Sequence, residues 1–124
     1  MEKNGLTYQK RKDLIAVFDR LRTTQGINMN YITRNDIVEL LMHQPAPRFY
    51  LEPRTIEHLV MRYFKGKKTI MPERTKDLYE TFCRVREQHP TAPMANIWVM
   101  VSEQPAKSFY LSRRCIRDFI FGWR

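Results

Sequence analysis

The sequence predicts an all-α protein: a tandem pseudo-repeat of two three-helix units, helix-turn-helix-like, that share a core. Two observations predict it. A segment of 13 residues occurs twice in the 124-residue chain, and apolar residues recur at helical spacing around both occurrences. Strand signals are weak, because Val, Ile and the aromatic residues follow the helical period and no Asn-Gly or Asp-Gly hairpin turn occurs.

The repeated segment covers residues 44–56 and returns as residues 104–116, with eight identical positions at an offset of 60. Upstream, Lys-Asp-Leu at residues 12–14 returns at residues 76–78, at an offset of 64. The two offsets agree if the first copy has a connector four residues longer, and the loop 26–30, rich in Gly and Asn, is where we place it.

These offsets divide the chain into three parts. We predict a first three-helix repeat over residues 1–66, a basic linker over 67–71 and a second three-helix repeat over 72–124. A unit of about 55 residues buries little surface by itself, so we expect the two repeats to pack as one domain.

The first repeat contains a clear pattern for each helix. The apolar face of its first helix is set by residues at i, i+3, i+4 and i+7: Leu14, Val17, Phe18 and Leu21. Thr33-Arg34-Asn35-Asp36 resembles a capping box for the second helix, which carries Ile37, Leu40 and Leu41 and ends before Pro45 and Pro47. Pro53 suits the first turn of the third helix and Gly66 suits its end. The predicted apolar stripe of that helix is Ile56, Leu59, Val60, Tyr63 and Phe64.

The second repeat follows the same plan. Thr91 is predicted to cap its second helix, with Pro93 in the first turn, and Ser112 to cap its third. The predicted buried positions of its three helices, in chain order, are Leu78, Phe82 and Val85; Ile97, Trp98 and Val101; and Ile116, Phe119, Ile120 and Trp123.

The repeated loop before each third helix allows two interpretations. The structural one places residues 49–51 and 109–111, each Phe-Tyr-Leu, in the core between helices, which is the usual role of aromatic residues in a tight connector. In the functional one, Tyr50 and Tyr110 point outward to stack on a base or a partner side chain.

No sequence motif indicates catalysis or a bound metal. His43, His58 and His89 are scattered, no Cys-x-x-Cys occurs, and no phosphate-binding glycine loop or Gly-x-Ser-x-Gly turn is present. We therefore expect a protein that is not an enzyme, with no catalytic residues, no metal site and no cofactor.

The chain is expected to be a soluble, cytoplasmic protein. Cys83 and Cys115 are too few for a disulfide scaffold, and residues 1–12 lack the apolar run of a signal peptide. The longest apolar run, residues 97–101, is far shorter than the roughly 20 residues of a membrane span.

Positive charge is the strongest functional indication. The chain has 22 Lys and Arg against 13 Asp and Glu, a net charge of +9 that is spread evenly along its length. The third helix of each repeat follows a turn, as a recognition helix does, although the connector of eight or nine residues is longer than in a standard helix-turn-helix. Arg54 and Arg114 occupy equivalent positions in the first turn, where the helix dipole opposes a cation. A phosphate or base edge would explain this placement, and so would a stacking or salt-bridge role.

From the charge we predict a nucleic-acid-binding accessory protein whose partner is DNA rather than RNA, with an acidic protein as the alternative partner and no membrane. The predicted phosphate contacts are Arg54, Arg62, Lys65, Lys67, Lys68, Arg113, Arg114 and Arg117. The alternative function is a protein-protein interaction or structural adaptor module.

The segment Pro-Ala-Pro-Arg-Phe-Tyr-Leu at residues 45–51 resembles one found in short uncharacterised proteins of gut anaerobic bacteria, their phages and mobile elements. The resemblance covers about 20 residues in each repeat, and the second copy departs from it at Lys107 and Ser108. No established activity follows from this group, so the resemblance implies a genetic context and no catalytic residues. In that context the alternative function would be an adaptor module of a phage or mobile element.

Overall fold

The computed structural model describes residues 5–24 and 32–122, and every regular element in that part of the chain is a helix. The helices are α1 (Leu6–Thr24), α2 (Arg34–Met42), α3 (Pro53–Phe64), α4 (Pro72–Gln88), α5 (Met94–Ser102) and α6 (Arg113–Phe121). The all-α prediction is therefore confirmed for the described residues. The predicted loop 26–30 and the predicted burial of Trp123 lie outside them.

The helices form two compact units. The first unit comprises Met1–Ala46 together with Lys107–Arg124, so it contains α1, α2 and α6; the second comprises Pro47–Ala106 and contains α3, α4 and α5. In the first unit α6 packs against α1 and α2, and in the second α3 packs against α4 and α5.

This grouping differs from the predicted division at residues 1–66, 67–71 and 72–124. The chain leaves the first unit after Ala46 and returns to it at Lys107, both times inside the repeated loop. The third helix of each predicted repeat thus packs on the first two helices of the other, and residues 67–71 lie within the second unit. The apolar stripes of α3 and α6 each place an isoleucine at the same position. The sequence pattern therefore fits packing of either helix on α1 and α2 or on α4 and α5.

The core of the first unit is mostly aliphatic and includes the ring of Phe109. Its large buried aliphatic side chains are Leu14, Val17, Leu21, Ile37, Val38, Leu41 and Ile116. At the edge of this core the Phe18 and Phe121 rings meet edge to face, with centroids 6.3 Å apart. Each fully buried aliphatic side chain contributes roughly 1.5–3 kcal/mol relative to an exposed one.

The core of the second unit includes a stacked aromatic pair. Phe82 of α4 and Trp98 of α5 lie face to face, with centroids 4.6 Å apart and an interplanar angle of 11°. Around them the buried aliphatic residues are Ile56, Val60, Leu78, Val85, Ile97 and Val101. All apolar positions predicted for the first two helices of the second repeat are therefore buried.

Three predicted helix boundaries are confirmed. Thr33 and Asp36 form a complete capping box, in which Thr33 Oγ1 accepts from the Asp36 N–H at 3.1 Å and Asp36 Oδ2 accepts from the Thr33 N–H at 3.2 Å. Ser112 Oγ accepts from the N–H of Cys115 at 3.1 Å at the start of α6. Pro53 is the first residue of α3.

Thr91 was expected to cap α5, and this is wrong. The cap residue is Pro93, and Thr91 lies in a turn closed by the Ala92 N–H on the His89 carbonyl at 3.2 Å. Since a residue before proline is disfavoured in the helical region, Ala92 does not extend the helix backwards to Thr91.

The apolar stripe of α3 is buried only over its first two turns. Ile56 and Val60 are buried and Leu59 is half-buried, but Tyr63 is 36% and Phe64 is 69% exposed, so their predicted burial is wrong. Tyr63 lies against the Tyr79 ring of α4, with centroids 5.0 Å apart, and Phe64 is the last residue of the helix. In α6, Phe119 and Ile120 are half-buried rather than fully buried.

Both repeated loops place their tyrosine in the left-handed backbone region, at φ +60° for Tyr50 and +54° for Tyr110. This conformation is uncommon for a bulky residue and costs on the order of 1–3 kcal/mol. Phe49 and Phe109 are each 3% exposed and Tyr50 is 5% exposed, which favours the core interpretation of these loops. Tyr110 is half-buried, and its N–H donates to Ser108 Oγ at 3.0 Å.

Candidate nucleic-acid interface

The predicted phosphate-binding residues belong to two different units. Five of them lie in the second unit, on α3 and directly after it: Arg54, Arg62, Lys65, Lys67 and Lys68. The other three, Arg113, Arg114 and Arg117, lie on α6 in the first unit. All eight are exposed except Arg62, which is half-buried.

Two of the α6 arginines contact α2. Arg113 forms an ion pair with Glu39, and Arg117 Nη2 donates to Asn35 Oδ1 at 3.3 Å. The hydrogen bond from Arg113, together with one from His43, holds the pKa of the Glu39 carboxyl below its ordinary value. Both arginines therefore help to hold α6 on α2. Each of these exposed contacts contributes little stability by itself.

Arg54 and Arg114 are the second residues of α3 and α6 and are both exposed. Among the described residues neither guanidinium has an ion pair, a hydrogen bond or an aromatic ring beneath it. The salt-bridge and stacking explanations for these two arginines thus find no partner in the described part of the chain. Each guanidinium therefore remains available to an anion, which the positive end of the helix dipole also favours at this position.

The connection from α3 to α4 is held at both ends. At the end of α3, Gly66 has φ +74°, its N–H donates to the Tyr63 carbonyl at 3.0 Å, and the Lys67 N–H donates to the Arg62 carbonyl at 2.9 Å. These two bonds form a Schellman motif, whose left-handed residue is usually glycine. The prediction that Gly66 ends this helix is therefore confirmed.

Two side-chain hydrogen bonds fix the rest of this connection. Arg62 Nη2 donates to the Lys68 carbonyl at 2.8 Å, and Thr69 Oγ1 donates to Thr75 Oγ1 of α4 at 3.0 Å. We call residues 65–70 the basic turn. The ammonium groups of its three lysines are exposed and have no acidic partner among the described residues.

A cleft of about 500 Å³ opens beside the basic turn. It is lined by α3, by the turn and by the start of α4, through His58, Leu59, Arg62, Lys68, Thr69, Ile70 and Arg74. Its wall combines three cationic side chains with two aliphatic ones, and Ile70 at its rim is 98% exposed. This lining suits a ligand with both an anionic and an apolar part.

Sequence reasoning found Arg62 and Lys68 but missed the rest of this cleft. Arg74 lies 12 residues beyond Arg62, and only the packing of α4 on α3 brings the two into one site. The available signal was the density of cations between Arg62 and Arg74, interrupted by an isoleucine that fits no helical stripe.

Other reactive side chains form no second site in the described residues. No group of three or more His, Cys, Asp or Glu there is arranged to hold a metal ion. Cys83 and Cys115 are exposed free thiols. A hydrogen bond with Cys83 raises the pKa of the Tyr79 hydroxyl, and partial burial adds to the effect.

No family model, curated protein or solved structure matches this chain. Within residues 5–24 and 32–122, no helix is long and apolar enough to cross a lipid bilayer.

Proposed function

We propose that this protein binds nucleic acid, DNA rather than RNA, as a non-enzymatic accessory protein that contacts phosphates through α3, α6 and the basic turn. The observation that carries the proposal is a set of exposed cations without acidic partners in the described part of the chain. They are Arg54, Lys65, Lys67 and Lys68 in the second unit and Arg114 in the first. Nucleic-acid backbones supply regularly spaced negative charges, which such a set can neutralise.

The proposal includes a tandem pseudo-repeat whose third helices are exchanged between the units. Positions 60 residues apart share their structural features, which supports it. The helices α2 and α5 have nine residues each and start 60 residues apart, and both repeated tyrosines have positive φ. The α3 and α6 helices also carry equivalent buried isoleucines and equivalent arginines. The protein would thus present two related basic helices, analogous to helix-turn-helix recognition helices.

A salt titration tests this function. Binding of labelled duplex DNA and of a labelled single strand is followed by fluorescence anisotropy, and affinity is expected to fall steeply between roughly 50 and 200 mM salt if several phosphates are contacted. Arg54→Ala and Arg114→Ala should each weaken binding and reduce the salt slope by about 1. Arg84→Ala is the matched control, because Arg84 is an exposed arginine on α4 outside the proposed set. Absence of binding of both the duplex and the single strand at the low-salt end would overturn the proposal.

A protein-protein interaction module is the second candidate function. Its support is the exposed apolar surface of the second unit, where Met61 is 41%, Phe64 is 69% and Ile70 is 98% exposed. Contiguous exposed apolar patches mark interaction sites, and these three residues lie within ten positions of one another, at the end of α3 and in the basic turn. Size-exclusion chromatography with light scattering separates the two functions: a concentration-dependent rise in mass that Phe64→Ser abolishes favours the interaction module.

A further inference from the structure

We propose that the cleft beside the basic turn binds one nucleotide of a single-stranded nucleic acid. Its base would lie against Leu59 and Ile70, and its phosphate on Lys68. This inference rests on the proposed function and names its substrate class, a single strand rather than a duplex.

The size and lining of the cleft fit one nucleotide. Its volume of about 500 Å³ lies within the range of roughly 300–1,000 Å³ usual for small-ligand sites. A nucleotide combines a flat base with a phosphate anion, and the cleft combines aliphatic residues with the cations of Arg62, Lys68 and Arg74. A duplex keeps its bases stacked and paired, so it could fill this cleft only by flipping a base out of the stack.

The basic turn would extend the binding site along the nucleic-acid strand. In sequence order, exposed Phe64 precedes the three lysines of the turn and exposed Ile70 follows them. Single strands are bound by cations that follow the phosphates together with aromatic side chains on which bases stack, and Phe64 supplies such a ring beside the lysines. Lys65 and Lys67 lie outside the cleft lining and would hold the neighbouring phosphates.

The exposed isoleucine is held in an ordered segment. Arg62 donates to the Lys68 carbonyl and Thr75 Oγ1 donates to the Met71 carbonyl, so the backbone is hydrogen-bonded both before and after Ile70. Ile70 is therefore presented to solvent at 98% exposure by a turn that is already formed. A preformed apolar rim lowers the ordering cost of binding, which favours a ligand with an apolar face.

The test compares three labelled ligands of equal length, about eight nucleotides, by fluorescence anisotropy at low salt. They are an oligothymidylate, an abasic strand with the same phosphates, and a duplex. The oligothymidylate is expected to bind about tenfold more tightly than the abasic strand. Ile70→Ser and Phe64→Ser should each weaken oligothymidylate binding several-fold while leaving abasic binding unchanged, because both remove stacking surface and no charge.

Val99→Ser is the matched control for these variants. Val99 is a 43% exposed apolar residue in the same unit and does not line the cleft. Lys68→Ala against Lys76→Ala controls for charge, since both lysines are exposed and Lys76 lies on α4 outside the cleft lining. Lys68→Ala should weaken both single strands, and Lys76→Ala should have little effect. Circular dichroism confirms that each variant is folded.

The possible outcomes separate this inference from the proposed function. Equal binding of oligothymidylate and abasic strand, or binding of the duplex alone, overturns the single-strand inference and leaves nucleic-acid binding standing. Free thymidine monophosphate that competes as well as the oligothymidylate also overturns it, because the site would then bind mononucleotides. No binding of any ligand overturns both proposals, and a change in self-association of Phe64→Ser without any nucleic-acid effect assigns this surface to protein contacts.

Discussion

The two units hold α3 and α6, which begin within the two copies of the repeated segment, in chemically different ways. In the first unit α6 contacts α2 through the Arg113–Glu39 ion pair. The residues at the matching positions of the second unit, 60 residues away, are Pro53 and Val99, which cannot form one. The helices in the second unit therefore meet without this polar contact.

The second polar contact of α6 differs in the same way. Arg117 donates to Asn35 in the first unit, whereas the matching residues in the second are Glu57 and Ala95. The first unit thus uses two of its α6 arginines to hold the helix, and the second leaves Arg54 and the lysines of the basic turn without acidic partners in the described residues. The contacts of α6 are thus made by arginines that the second unit lacks at the matching positions, whereas the repeated arginines Arg54 and Arg114 have no acidic partner among the described residues of either unit.

The repeated tyrosines give the largest expected contrast in stability. Tyr50→Ala should cost about 3–5 kcal/mol of unfolding free energy, as for other large buried aromatic side chains. Tyr110→Ala should cost clearly less, because Tyr50 is buried and Tyr110 is half-buried. Urea denaturation of both variants measures the difference, and equal losses would contradict it.

The buried isoleucines test which helix belongs to which unit. Ile56→Ala and Ile116→Ala should each cost about 2–5 kcal/mol, since both side chains are at most 1% exposed. The indole N–H resonance of Trp98, assigned by comparison with Trp98→Phe, reports on the second unit. Ile56→Ala should shift this resonance and Ile116→Ala should not. The opposite result would favour the predicted grouping of residues 72–124 as one unit.

The sequence predicts the helices well because helix formation depends on local signals. The capping residues Thr33 and Ser112 and the helix-ending Gly66 act within a few residues of their own position, and all three are confirmed. The prediction that Thr91 caps α5 is wrong because Pro93, two residues later, restricts the backbone of the residue before it. This restriction is also local, and it outweighs the capping preference of Thr91.

The grouping of helices and the cleft could not be predicted in this way. Ile56 and Ile116 satisfy the same apolar pattern, so nothing local indicates that α3 packs on α4 and α5. Phe64 fits the helical stripe but is the last residue of α3, just before the chain turns at Gly66. Arg74 joins Arg62 in the cleft only through tertiary packing.

The helix caps give a smaller contrast between α3 and α6. Ser112→Ala should cost about 0.5–2 kcal/mol, because it removes the hydrogen bond to the Cys115 N–H. Glu52→Ala, at the equivalent cap of α3, should leave stability nearly unchanged, since the Glu52 side chain makes no cap hydrogen bond. Thermal unfolding of both variants measures the two effects. A larger loss for Glu52→Ala would show that the two caps do not differ as described.

The smallest effect concerns the ion pair that distinguishes the units. Arg113, with His43, lowers the pKa of Glu39 in the folded protein, so this carboxylate contributes stability at pH values above its ordinary pKa of 4.5. That contribution should disappear as the pH falls through the lowered pKa of the folded state. In Arg113→Ala the Glu39 pKa, followed by carboxyl-carbon NMR, should rise toward 4.5, while Arg114→Ala should leave it unchanged. Because both side chains are exposed, the stability change should be slight and should shrink further with added salt. An unchanged Glu39 pKa in Arg113→Ala would show that the ion pair does not distinguish the two units. Arg113 would then be as available to an anionic ligand as Arg114.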